Sequence, residues 1–115
     1  MMGRRHKYGA KPTIADGIKF PSKKEAHRWL ELKLLEKAGR ITNLERQIKI
    51  PLQGKFGPIM TDSGKSQRTY VADFRYVDWD LNGVVVIEDS KGMETPEFKL
   101  KKAILAAQNV ELLIS

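Results

Sequence analysis

Two runs of β-branched and aromatic residues, Tyr70-Val71-Ala72-Asp73-Phe74-Arg75-Tyr76 and Val84-Val85-Val86-Ile87-Glu88-Asp89-Ser90-Lys91, flank a turn at Asp80-Leu81-Asn82-Gly83. Neither run contains Gly or Pro, so both are predicted as strands, and Asn82-Gly83 predicts a tight antiparallel hairpin between them. Side chains alternate along a strand, which puts Val85, Ile87, Asp89 and Lys91 on one face and Val84, Val86, Glu88 and Ser90 on the other. Both faces are largely apolar, as expected of a sheet covered on two sides. A carboxylate there is costly unless something pairs with it. Asp73 and Asp89 fall on neighbouring strands, and a shared divalent cation would supply the pairing.

Around this hairpin the 115 residues suffice for one domain, with a net charge of +7 and a pI of about 9.7. A basic excess of this size points to a polyanionic partner, nucleic acid above all. It is densest at the start, in Arg4, Arg5, Lys7 and Lys11, so residues 1–13 are read as a basic arm and 14–115 as the folded domain. No apolar run reaches the length needed to cross a bilayer, and no signal-peptide core follows the basic start, so a cytoplasmic protein is expected. The chain has no Cys and only two His, which excludes disulfides and thiolate sites and leaves oxygen as the ligand for any metal.

The remaining elements follow from local signals. Thr13 to Phe20 around Asp16-Gly17 predicts a small hairpin. Ser22-Lys23-Lys24-Glu25 has the form of a capping box and starts a helix that ends before Gly39, apolar around much of its circumference. Two readings of Glu25 are open: a cap that bonds back to Ser22, or an inward-facing acid of the site. Ile41 to Ile50 predicts an edge strand stopped by Pro51. Residues 51–68 are long for a connection and form either a protruding hairpin or a functional loop. Thr95-Pro96-Glu97 starts a second helix, with Lys99, Lys101 and Lys102 in its first half, where cations oppose the helix dipole and an external anion would offset them. Val110 to Ile114 ends the chain as a last strand.

Hard oxygen ligands on Asp73 and Asp89 suit Mg²⁺ or Mn²⁺, and Lys91 on the face of Asp89 is placed to stabilise charge on a phosphate. The alternative is a buried Asp-Lys network that only holds two strands together, in a non-catalytic nucleic-acid-binding module. Arg4, Arg5, Lys7, Lys99, Lys101 and Lys102 are the expected phosphate contacts in either case.

Asp73 followed by Asp89-Ser90-Lys91 behind four apolar residues resembles the PD-(D/E)XK nuclease superfamily. With Lys7-Tyr8-Gly9-Ala10, Asp16-Gly17-Ile18-Lys19-Phe20, Ser22-Lys23-Lys24-Glu25-Ala26, Tyr70-Val71-Ala72-Asp73-Phe74 and Glu88-Asp89-Ser90-Lys91-Gly92, the chain is similar to small phage and prophage endonucleases of the Holliday-junction-resolvase type. That family was long described only as a domain of unknown function. The resemblance implies an α/β (α+β), restriction-endonuclease-like mixed sheet between two main helices, in the order α-β-β-β-α-β after an N-terminal hairpin. It also implies an Mg²⁺- or Mn²⁺-dependent endonuclease acting on DNA in a bacterial host. Asp73, Asp89 and Glu25 would be metal ligands, Lys91 the catalytic lysine, and Gln47 a neighbour of the site. Glu88 is the rival of Asp89 for the second acidic position, and Ala72 stands where a proline is usual. Low sequence specificity, a preference for branched or supercoiled DNA, and a possible homodimer complete the expectation.

Overall fold

The computed structural model describes residues 11–90 and 94–115; Arg4, Arg5, Lys7 and Lys91 lie outside them. A short hairpin, β1 (Thr13–Ala15) and β2 (Ile18–Phe20), precedes helix α1 (Lys23–Lys37). Strand β3 (Ile41–Pro51) follows, then a small hairpin of β4 (Gln53–Gly54) and β5 (Gly57–Pro58), and strands β6 (Thr69–Asp78) and β7 (Val84–Asp89). Helix α2 (Pro96–Ala107) and strand β8 (Leu112–Ile114) complete the chain. The main sheet has the order β3-β6-β7-β8, antiparallel except for the β7–β8 pair. This is the expected mixed α/β architecture, with β3 at an edge. No described helix is long and apolar enough to cross a membrane.

Both helices start where their caps direct. The Ser22 hydroxyl accepts from the Glu25 amide at 3.1 Å, and the Thr95 hydroxyl accepts from the Phe98 amide at 3.1 Å. These bonds satisfy amides that have no carbonyl partner in the first turn. Gly39 follows α1 at φ +79, a conformation open to glycine at little cost. α1 buries a narrower stripe than its composition suggests: Ala26, Trp29 and Leu32 are inside, while Leu34 is 69% exposed.

Tyr70, Ala72, Phe74 and Tyr76 alternate along β6 and are all buried, but they serve two cores. Phe74 and Tyr76 join Phe20, Ala26, Trp29, Leu32 and Ile41 under α1. Tyr70 and Ala72 join Leu52, Phe98, Leu105 and Leu112 under α2. The division falls at Asp73. The sheet is not covered throughout, since Val84 and Val85 at the start of β7 are 51% and 58% exposed. These residues lie at the end of the hairpin that runs past the helices.

Residues 51–68 form a folded protrusion. Gln53 pairs with Pro58 and Gly54 with Gly57, while Met60 bridges to Gln67. Leu52 is buried at its base, and the Leu52 amide donates to the Arg68 carbonyl at 2.9 Å. From α2, the Gln108 side chain donates to the Pro51 carbonyl at 3.0 Å and accepts from the Gln53 amide at 2.8 Å.

The link between β6 and β7 differs from the expected two-residue turn. β6 runs on to Asp78, whose carboxylate accepts from the Asp80 amide at 2.9 Å and caps a single 3₁₀ turn at Trp79–Leu81. Asn82 and Gly83 then reverse the chain at φ +59 and +81. A Cβ on Gly83 would lie 2.9 Å from the Trp79 ring, and that ring is fixed by its N–H bond to the Thr42 hydroxyl at 2.9 Å. Glycine is thus required here by backbone conformation and by space. Gly83→Ala is expected to lower stability by more than about 1 kcal/mol in urea unfolding with an unchanged m-value, whereas an unshifted midpoint would contradict this account.

Candidate functional site

Asp73 occupies a break in the sheet. On the β3 side the pairs Arg46–Phe74 and Ile48–Ala72 flank a missing rung, and the residue that would fill it, Gln47, has φ +55. Such a conformation is uncommon for a residue with a side chain inside a strand. On the β7 side the ladder ends at Phe74–Glu88, so Asp73 and Asp89 fall where the next rung would be. Side chains replace the main-chain bonds there. Asp89 Oδ1 accepts from the Asp73 amide at 3.0 Å, and Asp73 Oδ2 accepts from the Ser90 amide at 2.9 Å. Tyr70 donates its hydroxyl to Asp89 Oδ2. Burial first, and then this bond to a carboxylate, push the Tyr70 phenol well above its ordinary value.

Asp89 is fully buried and its main chain is tied down as well. The Ser115 amide, next to β8, donates to the Asp89 carbonyl at 2.9 Å, and the Ser90 and Ser115 hydroxyls lie 3.0 Å apart. Beside Ser90 a cleft of about 220 Å³ is lined by Lys24, His27, Arg28, Glu31, Ser90 and Ser115. Lys24, His27 and Arg28 bring basic side chains to it from α1, and Glu31, paired with Arg28 at 3.3 Å, brings a carboxylate.

The adjacent Glu88 has a different role. It is fully buried and points to α1, accepting from Arg28 Nε at 2.5 Å, from Arg28 Nη2 at 3.0 Å and from the Tyr76 hydroxyl at 2.6 Å. Burial alone would raise its pKa, but the bonds from Arg28 and Tyr76 outweigh it and hold the carboxyl below the ordinary 4.5. The Arg28 pKa is raised, chiefly by its bond to Glu88. Two donor residues, one of them a cation, make Glu88 a brace between α1 and the sheet. Tyr70 and Arg28, the residues that separate these two carboxylates, were not apparent in the sequence as functional. Tyr70 reads there as a strand aromatic, and Arg28 is sixty residues from its partner.

Of the other expected residues, Glu25 is 3% exposed, deeper than a helix cap requires, while its amide takes the Ser22 cap. Among the described residues no group of three or more His, Asp or Glu side chains is gathered to hold a metal. Glu25 is carried on α1, whereas Asp73 and Asp89 meet at the strand break. Gln47 does lie opposite Asp73, through its backbone. On α2, Lys101 pairs with Glu97 at 3.1 Å and Lys102 with Glu94 at 3.9 Å. These exposed pairs hold each other weakly and can exchange for phosphates.

With the fold and this site in view, the chain belongs to the family described as "Protein of unknown function (DUF1064)", whose model matches residues 5–115. No curated protein and no solved structure matches the chain.

The brace gives a stability prediction. Because the Glu88 pKa is lowered on folding, its contribution is present above the unfolded value of 4.5 and is lost as pH falls through the lower folded value. Glu88→Gln is expected to cost about 3 kcal/mol at pH 7, since it removes the buried carboxylate of the Arg28 pair and leaves that guanidinium only the exposed Glu31, and the deficit shrinks below about pH 4. An equal deficit at pH 7 and pH 3 in chemical unfolding would refute the assigned brace.

Proposed function

We propose that this protein is a metal-dependent endodeoxyribonuclease of PD-(D/E)XK type, with Asp73 and Asp89 as the acidic pair. The observation that carries the reading is the convergence of these two carboxylates at a break in the sheet, on amide and hydroxyl donors, immediately before Ser90 and Lys91. A site that only needed stability would be better served by an unbroken ladder and apolar side chains. The segments that resemble small phage endonucleases support it further.

The donor set fits Mg²⁺ or Mn²⁺. Each carboxylate oxygen has more than one acceptor position, so those of Asp89 can take the Asp73 and Tyr70 bonds and still face an ion. Such ions commonly use only one or two carboxylates, with water and phosphate oxygens for the rest. When bound, the ion supplies Lewis-acid polarisation of the scissile phosphate and a water of lowered pKa. Tyr70 and the Asp73 amide fix the direction of the Asp89 carboxylate, and the Ser90 amide fixes that of Asp73. Lys91, two residues beyond Asp89 in the sequence, would offset charge developing on the phosphate. Lys24 and His27 in the neighbouring cleft would seat an adjoining phosphate of the strand.

Phosphate contacts without a base-reading helix lead to weak sequence specificity, so flexible, branched or supercoiled DNA in the host cytoplasm is the proposed substrate. One site hydrolyses one bond. A single copy therefore nicks, and a two-fold pair would be needed to cut both strands.

The test is cleavage of supercoiled plasmid with and without Mg²⁺ or Mn²⁺. Nicking that requires the metal and falls about 100-fold or more in Asp73→Asn, Asp89→Asn and Lys91→Ala is expected. Asn at 89 can still accept from the Asp73 amide and donate to Tyr70, so the fold survives. Full activity in Asp89→Asn with loss in Glu88→Gln, at equal stability, would overturn the assignment. DNA binding without cleavage under any divalent ion would leave a non-catalytic binding module.

A further inference from the structure

We propose that the tip of the β4–β5 hairpin, Lys55-Phe56, is a wedge that stacks on unpaired bases of DNA engaged at the Asp73–Asp89 site. The inference rests on the DNA-directed function proposed above. Phe56 is 94% exposed, the most exposed of the large apolar side chains described. An exposed phenylalanine loses free energy to hydration unless it has a partner, and this one stands at the outermost point of a protrusion.

The ring is presented on a braced stem. Gly54 and Gly57 pair beneath it, and the Arg68 amide closes the base on the Ile59 carbonyl at 2.7 Å. The buried Leu52 and the double bond of Gln108 to Pro51 and Gln53 anchor the base to α2. A stem held in this way loses little freedom on binding.

Charge selects the partner. Lys55 Nζ lies 5.4 Å from the Phe56 ring centroid, so the aromatic carries its own cation. Residues 49–68 contain Lys49, Lys55, Lys65 and Arg68 against Asp62 alone, four positive and one negative, a net +3. An aromatic among lysines suits a base flanked by phosphates, since every base offers a π face whatever its identity. It does not suit the apolar patch of another protein.

The position also fits. β6 enters the sheet at Thr69 directly from this protrusion and reaches Asp73 four residues later, which is about 13 Å at strand rise. The base of the wedge and the carboxylate pair are therefore joined by one short run of β6. In a linear duplex the ring must first separate stacked bases, whereas at a branch or bulge they are already open. Phe56 would in this way set the preference for branched DNA.

The test uses the full chain without divalent metal, so that DNA stays intact, and 2-aminopurine at the unpaired position of a branched DNA and inside a linear duplex. The wild-type protein is expected to quench the branched probe alone, because stacking quenches this fluorophore. Phe56→Ala should bind branched DNA about tenfold to a hundredfold more weakly, keep linear-duplex affinity within about twofold, and lose the quenching. Phe56→Trp should restore it. Because Phe56 is exposed, these variants fold. Unchanged branched-DNA affinity and quenching in Phe56→Ala would overturn the wedge while leaving the nuclease reading intact. Absence of DNA binding by the wild-type protein would instead remove the reading beneath it. A Phe56-dependent dimer without DNA, seen by sedimentation, would assign the ring to contact between two copies and would also overturn the wedge.

Discussion

Asp73 and Asp89 each accept a main-chain amide from the other's strand, and this exchange takes the place of a rung in the β6–β7 ladder. A buried carboxylate is tolerated only when donors surround it, and the Tyr70 hydroxyl and two amides provide them. The arrangement fixes the direction of both carboxylates with main-chain donors and the Tyr70 hydroxyl. Much of the surrounding structure serves this break. Ser115 beside β8 holds the Asp89 carbonyl, Gln47 departs from strand geometry opposite Asp73, and the two cores divide at Asp73.

Glu88 and Asp89 show how adjacent acids acquire different roles. Strand alternation sends their side chains to opposite sides. Glu88 meets Arg28 on α1, whereas Asp89 accepts from the Tyr70 hydroxyl and the Asp73 amide. A carboxylate already paired with a buried guanidinium has little capacity left for an ion. On the proposed function Asp89, held at the strand break, is the second acid of the nuclease site.

The element order, both helix caps, the N-terminal hairpin and the edge position of β3 were legible because each depends on local signals such as Ser22, Thr95-Pro96, Asp16-Gly17 and Pro51. That Asp73 and Asp89 lie on neighbouring strands was legible from the two β-branched runs, but their register was not, because it depends on the turn. The Asn82-Gly83 turn was misjudged, because Asp78 caps a 3₁₀ turn that outcompetes the two-residue form and Trp79 occupies the space beside Gly83. Three further features depend on residues distant in sequence and had no local signal: the Arg28–Glu88 brace, the hold of Tyr70 on Asp89, and the clamp of Gln108 on the 51–68 protrusion. For Glu25, the amide donates to the Ser22 hydroxyl and the side chain is buried.

The central claim is that the aspartate pair is an ion site, and the most direct measurement is anomalous diffraction from crystals of the protein grown with Mn²⁺. The account predicts one strong peak at the strand break, about 2.0–2.3 Å from a carboxylate oxygen of Asp73 and one of Asp89, with Glu88 still paired to Arg28. No peak there at saturating Mn²⁺, or a peak on Glu88 with the Arg28 pair broken, would contradict it.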